Sequence, residues 1–233
     1  VDFDFRIIDV FKKLGSKEMN IKDRILEEFL RVKEILGHRP SRVEFFKNID
    51  DEVYAAIKKT KSSLNPLNDY LGFLKENGEL FESEEALFKS IGHEFIKMIE
   101  TTKMSKSYKI TVFLAFYNDG NVKMEIYEDD IYRRLYEFYH KGTNKVDMRR
   151  DKGTVDFEKW DKRKWVKLAK DNPIKFLVRS HGEFFHCGEY VMMSFNKDMR
   201  GIIRDEVFSE HIIDAMEYRK KRYYEERKVY SSK

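Results

Sequence analysis

Eleven glycines and three prolines among 233 residues leave this chain few of the sharp reversals that a loop-built β-sandwich needs. The same scarcity argues against disorder, and abundant Lys, Glu, Leu and Ile favours helix. A hydrophobic fraction of 41% is enough for a core, and the length suits one or two domains. One cysteine excludes a disulfide framework and predicts a reducing, cytoplasmic setting. No apolar run approaches the roughly 18 residues of a membrane span, so no membrane partner is expected. The chain opens on Val1 rather than Met, so it is expected to be a piece of something longer.

Apolar spacing predicts a series of helices in residues 1–100. FRIIDVFKKLG sets Ile7, Ile8, Phe11 and Leu14 on one face and stops at Gly15. Asn20 caps a helix carrying Ile21, Ile25, Phe29, Val32 and Leu36, which ends at Gly37. Ser41 with Glu44 is a capping-box pattern, so a short helix begins at Arg42. Asp50 or Asp51 caps the next, with Val53, Tyr54 and Ile57 inward. Leu67, Tyr70, Leu71 and Leu74 form another stripe, closed by Asn77-Gly78, and Ser83 starts a helix through Met98. Short helices on short turns fit a helix-turn-helix unit or a small helical bundle.

Residues 101–233 are mixed. Ser105 or Ser107 starts the apolar helix YKITVFLAFY, which ends at Asn118-Asp119-Gly120. VKMEI (122–126) reads as a strand. EDDIYRRLYEFYH follows as a helix, and 141–156 as a loop without apolar periodicity. Trp160, Trp165, Val166 and Leu168 mark a further helix. Asn172 then caps a fresh one, with Pro173 at its tolerated first position. EFFHC and YVMMSF flank Gly188-Glu189 in hairpin fashion, and a last helix spans about 203–227. Helix, strand, helix, helix and hairpin is the winged-helix order, with 173–180 as recognition helix and the hairpin as wing. The stretch 141–156 is unusually long for that plan.

Charge is distributed unevenly. Residues 1–100 hold 17 Lys/Arg and 20 Asp/Glu, whereas 101–233 hold 29 and 22. Residues 141–179 alone hold 13 Lys/Arg against six acids, which equals the whole positive excess of their half. Such a stretch suits a polyanion. A solvated helix face beside a basic loop, or an acidic protein partner, are the alternatives.

Signs of catalysis are sparse. No GxxxxGK[ST] cradle, no DEAD- or DEAH-type acid run and no glutamine occurs in the sequence, so the chain itself is not expected to bind or split ATP. His181, His186 and Cys187 are the best metal candidates, but a structural zinc needs four ligands, and no metal site is expected. Glu125, Glu128, Asp129 and Asp130 beside Lys123 are the best nuclease candidates, yet acids at a helix N-terminus need no catalytic reason. Tyr218, Tyr223, Tyr224 and Tyr230 alternate with Arg and Lys near the end. They suit base stacking or a helix that docks on further parts of a larger protein.

LGHRPSRVEFF (36–46), SKSYKITVFLAFYNDG (105–120), EDDIYRRLYEFYHKGTN (128–144) and DNPIKFLVRS followed by EFF (171–185) resemble the C-terminal region of bacterial superfamily II helicases of the DEAD/DEAH-box, type III restriction-like group. That resemblance implies a part cut from the accessory end of an ATP-dependent helicase. The ATP and Mg chemistry would lie in two motor domains outside this chain, which would be its partners.

The sequence therefore predicts a mainly α fold with a minor β-hairpin. A helical, helix-turn-helix-like unit (1–100) is followed by a basic winged-helix-like unit (101–233). The expected function is non-catalytic grip on duplex or forked DNA, with Lys141, Lys145, Arg149, Arg150, Lys152, Lys162, Arg163, Lys164, Lys167 and Arg179 on phosphates. Arg39 and Arg42 are secondary candidates at a helix start. The alternative is a protein-interaction module that docks on the helicase motor or another partner.

Overall fold

A computed structural model of the chain describes residues 20–60, 65–118 and 120–228. The helix expected around residues 5–15 and the position of Tyr230 lie outside these. Among the described residues the fold is mainly helical, 67% helix against 5% strand. Two compact units meet in the sequence at Glu79 and Leu80, not after residue 100. The reason is that the helix Ile91–Thr101 packs on the C-terminal helix Glu206–Lys228.

In the first unit, α1 (Ile21–Leu36) begins where the Asn20 side chain accepts the Lys22 N–H, and ends at Gly37 with φ +74°. That left-handed cap is open to glycine at little steric cost. The Ser41 capping box forms as expected ahead of α2 (Arg42–Asn48). Asp50 Oδ1 accepts the N–H groups of Glu52 and Val53 to start α3 (Asp51–Lys59). Asp69 caps α4 (Tyr70–Glu76). The Phe29 ring lies 5.7 Å from Phe45 and 5.1 Å from Phe73 in tilted and edge geometry, which gives this unit its core. Arg42 is fully buried, its guanidinium 4.6 Å from the Tyr70 ring centroid. It is therefore part of the packing, and the phosphate contact expected of it does not hold.

Glu28 is a buried carboxylate of this unit. Arg31 grips both its oxygens at 2.8 and 2.6 Å, and the Asp50 N–H adds a 2.6 Å bond. The Arg31 hydrogen bond outweighs burial and holds the Glu28 pKa below the ordinary glutamate value.

The second unit opens with a short helical turn and α5 (Glu85–Phe88), followed by α6 (Ile91–Thr101). The single helix expected from Ser83 to Met98 is thus broken. Ser90 donates to the Leu87 carbonyl and accepts the Gly92 N–H, which ends one helix and caps the next. Helix α7 (Tyr108–Phe116) runs directly into a small hairpin, β1 (Tyr117–Asn118) with β2 (Asn121–Val122), with Gly120 at φ +88°. The expected strand 122–126 is split, because Val122 pairs with Tyr117 while β3 (Glu125–Ile126) joins another sheet. Helix α8 (Glu128–His140) forms as its three leading acids suggest.

That second sheet is antiparallel in the order β3-β5-β4, where β4 is Phe185–His186 and β5 is Met193–Phe195. Six residues, 187–192, separate β4 from β5, so Gly188-Glu189 is not a two-residue turn. Met193 is engaged instead with Ile126 on the other edge of β5. Helix α6 supplies the hub of the core. The Phe95 ring meets Phe113, Phe184, Phe185, Phe195 and Phe208 at centroid distances from 5.1 to 6.4 Å.

Glu28 yields a pH test. Its folded pKa is depressed, so its contribution is fully present above the unfolded value and fades as pH falls through the folded one. Urea midpoints followed from neutral to acid pH are expected to fall less steeply in Glu28→Gln than in the parent. Parallel curves would contradict this assignment.

Candidate nucleic-acid interface

The basic stretch folds into two different structures. Its first part, 141–156, is not a plain loop. It holds a 3-10 turn (Gly142–Lys145) and the single-turn helix α9 (Val146–Arg149), with Asp147, Met148 and Thr154 buried. Apolar periodicity missed this because polar side chains do the anchoring. Asp147 Oδ2 accepts the Ser107 N–H at 2.9 Å and the Ser107 hydroxyl at 2.6 Å, while Oδ1 accepts the Tyr223 hydroxyl at 2.7 Å. Ser107 gives its one proton to Asp147, so the Tyr139 and Tyr224 hydroxyls donate to its oxygen at 2.9 and 3.0 Å. Burial, followed by the Asp147 hydrogen bond, pushes the Tyr223 pKa far up, and burial does the same to Tyr224.

These contacts also settle the terminal tyrosines. On α12 (Glu206–Lys228), Tyr218 and Tyr223 are buried and Tyr224 is half-buried against this unit's own residues. They form neither a stacking platform nor an outward docking face.

The second part is a continuous helical rod. Helix α10 (Lys162–Ala169) starts where Asp161 Oδ1 accepts the Lys164 N–H. It passes through a π turn (Lys170–Ile174) into α11 (Lys175–Ser180), with helical dihedrals at both joints. Asn172 therefore caps nothing. Pro173 sits inside the π turn, where the wider register tolerates its missing N–H. Trp165 fastens the rod. It is fully buried, stacked on Tyr139 at 6.1 Å and edged by Phe157 and Trp160 at 6.0 and 5.2 Å.

The π turn sets which cations share a face. On an unbroken α-helix, Lys170 and Lys175 would point roughly 140° apart, whereas the extra residue of a π turn brings them within roughly 40°. Arg163 and Arg179 would likewise diverge by roughly 160° and come within roughly 60°. Two adjoining clefts record the result. One of about 510 Å³ is lined by Lys162, Arg163, Val166, Lys167, Lys170, Asp171 and Glu128. The other, of about 580 Å³, lies between the rod and residues 187–192, with Lys170, Lys175, Arg179, Ile174 and Val178 on its helical wall. Lys170 and Glu128 belong to both.

Acids are interleaved with these cations. Lys162 pairs with Asp129 at 2.6 Å, Lys167 with Asp171 at 2.7 Å and Lys170 with Glu128 at 2.7 Å. All three pairs are substantially exposed, so solvent screens most of their attraction. An incoming phosphate therefore competes with them on easy terms. Asp129 raises the Lys162 pKa, so that side chain keeps its charge.

Of the ten residues expected on phosphates, the structure brings Lys162, Arg163, Lys167 and Arg179 onto this furrow. Lys164 lies 5.9 Å from the Trp160 ring centroid and lines neither cleft. Lys141, Lys145, Arg149, Arg150 and Lys152 also line neither, and Arg149 is bound to Glu158 at 2.9 Å. Arg39 donates to the Glu79 carbonyl at 2.8 Å. Lys170 and Lys175 were not among the expected contacts. Both stand in the basic stretch, but a helix starting at 173 hides their alignment with Arg163 and Lys167.

The other chemistries do not assemble. Lys123 pairs with Asp130 at 2.6 Å and Tyr127 donates to Glu125, while Glu128 and Asp129 hold lysines of the rod. The four acids thus face separate partners rather than one point. His186 Nδ1 donates to Asn196 Oδ1 at 2.9 Å, and His181 faces Glu183 at 3.4 Å. Among the described residues no three His, Cys, Asp or Glu side chains converge as metal ligands, and no helix is long and apolar enough to cross a membrane.

Removing the Asp147 carboxylate tests the anchor of 141–156. Asp147→Asn puts an amide donor among three donors and is expected to cost about 2–4 kcal/mol in urea unfolding. A loss under about 0.5 kcal/mol, the range of ordinary surface changes, would contradict that role.

No family model, curated protein or solved structure matches this chain.

Proposed function

We propose that the chain is a non-catalytic nucleic-acid-gripping module that serves the motor of an ATP-dependent superfamily II helicase. The observation that carries this reading is the single face shared by Arg163, Lys167, Lys170, Lys175 and Arg179 along the rod. Five cations in a line match the repeating phosphates of a strand, and phosphate contacts position a protein without reading sequence. The helicase assignment rests on the resemblance of the segments quoted above. ATP and Mg would belong to the motor domains.

Unit two follows a winged-helix plan in this reading. Its support is the sheet order β3-β5-β4, in which the strand before α8 lies beside the last strand, with α8 and the rod inserted between. The rod's α11 is then the recognition helix and residues 187–192 the wing.

A second reading, docking of a protein partner, is favoured by the wing itself. Residues 181–196 contain Glu183 and Glu189 but no Lys or Arg, and Tyr190 is 85% exposed there. A wing of that kind does not track a phosphate backbone.

Titration against labelled duplex, forked and single-stranded DNA at two salt concentrations separates the two. Binding that weakens with salt, by a log–log slope of roughly 0.9 per phosphate contacted on duplex, is the expected result. Replacing Arg163, Lys167 and Arg179 together by alanine is expected to weaken binding to every sequence and flatten that slope. An unchanged slope in this variant, with an intact circular dichroism spectrum, would overturn the furrow as the DNA face.

A further inference from the structure

The cleft of about 580 Å³ beside the rod has apolar lining on both walls that phosphate binding does not use. Ile174, Val178, Val191 and Met192 line it, and Tyr190 stands at its mouth on residues 187–192. A phosphate strand needs cations and water, not four aliphatic side chains. The volume is that of a small-molecule pocket, and it adjoins the furrow through Lys170.

We infer that this cleft receives one unpaired nucleobase of a forked or single-stranded nucleic acid while the neighbouring phosphates lie on the furrow. The inference rests on the nucleic-acid reading above and adds which form of nucleic acid the module selects. A nucleobase is a flat, largely apolar ring with amide-like edges, and it suits an aliphatic slot closed by an aromatic side chain. The charges divide the work in the same way. Lys175 and Arg179 at the helical wall hold phosphates, and Glu189 on the opposite wall repels them. That carboxylate accepts the exocyclic amino group of a base instead. An intact duplex has no base to offer without unstacking one, whereas a fork supplies an unpaired base at the junction.

The test uses the whole chain with a fork that carries 2-aminopurine at its first unpaired position, a matching duplex and a matching single strand. Affinity for the fork above that for the duplex, with a rise in 2-aminopurine fluorescence on binding, is the expected result. Tyr190→Ala changes an exposed side chain that the fold does not use, and is expected to lower the fork-to-duplex affinity ratio by about tenfold. Val178→Phe, which fills the slot, is expected to lower the same ratio and abolish the fluorescence rise. Equal affinity for fork and duplex, no fluorescence change and no effect of either variant would overturn the inference while leaving phosphate binding in place. No binding to any of the three would overturn both readings.

Discussion

Burial of Trp165 is the contact on which the rest of the candidate interface depends. Its ring is sealed between Tyr139 of α8 and the aromatic side chains of residues 157–160. A side chain of that size buries roughly 150–250 Å², and truncating such a residue in a core costs about 3–5 kcal/mol. That one insertion fixes the rotation of α10 and turns Arg163 and Lys167 to solvent. It also brings Lys162 and Lys170 within reach of Asp129 and Glu128 at the start of α8. Pro173 and Ile174, both buried, carry the fixed rotation through the π turn. Position, charge and accessibility of the furrow thus follow from apolar packing on the opposite side of the same rod.

Polar burial holds the remainder of the unit in register. Asp147 and Ser107 gather the start of α7, the end of α8, the single turn α9 and the C-terminal helix through five hydrogen bonds. Each hydroxyl in the group has a partner, and satisfied networks of this kind specify one arrangement where an apolar contact would admit several. Asn196 plays the same part at the base of the β4–β5 pair. Its amide donates to the carbonyls of Gly182 and Glu183 while its oxygen receives His186. The loop that forms one wall of the larger cleft is held at its root, with its tip exposed.

Much of the helical scaffold was legible because caps and stripes are local. Asn20, Ser41 and Asp50 act as their residue types and positions suggest, and Gly37 closes α1 in the left-handed conformation. The misreadings occur where a local signal met a non-local partner. Asn172-Pro173 reads as a helix start, yet the burial of Pro173 and Ile174 keeps the rod continuous. Residues 141–156 read as a loop because their anchor is a carboxylate whose partners stand 40 and 76 positions away. The terminal tyrosines read as surface because of the Arg and Lys beside them, although long cationic side chains leave buried neighbours free to point inward. At the candidate interface, composition marked out a basic stretch of chain. It could not give the face, since five-residue spacing aligns cations only across a π turn.

The central claim is that one face of the rod, and not the whole basic stretch, meets nucleic acid. Lysine-reactivity footprinting by mass spectrometry, with and without forked DNA, reads this residue by residue. The account predicts that Lys162, Lys167, Lys170 and Lys175 lose reactivity together on binding, while Lys141, Lys145 and Lys152 keep theirs. Protection centred on Lys141, Lys145 and Lys152, or spread evenly over all seven lysines, would contradict it.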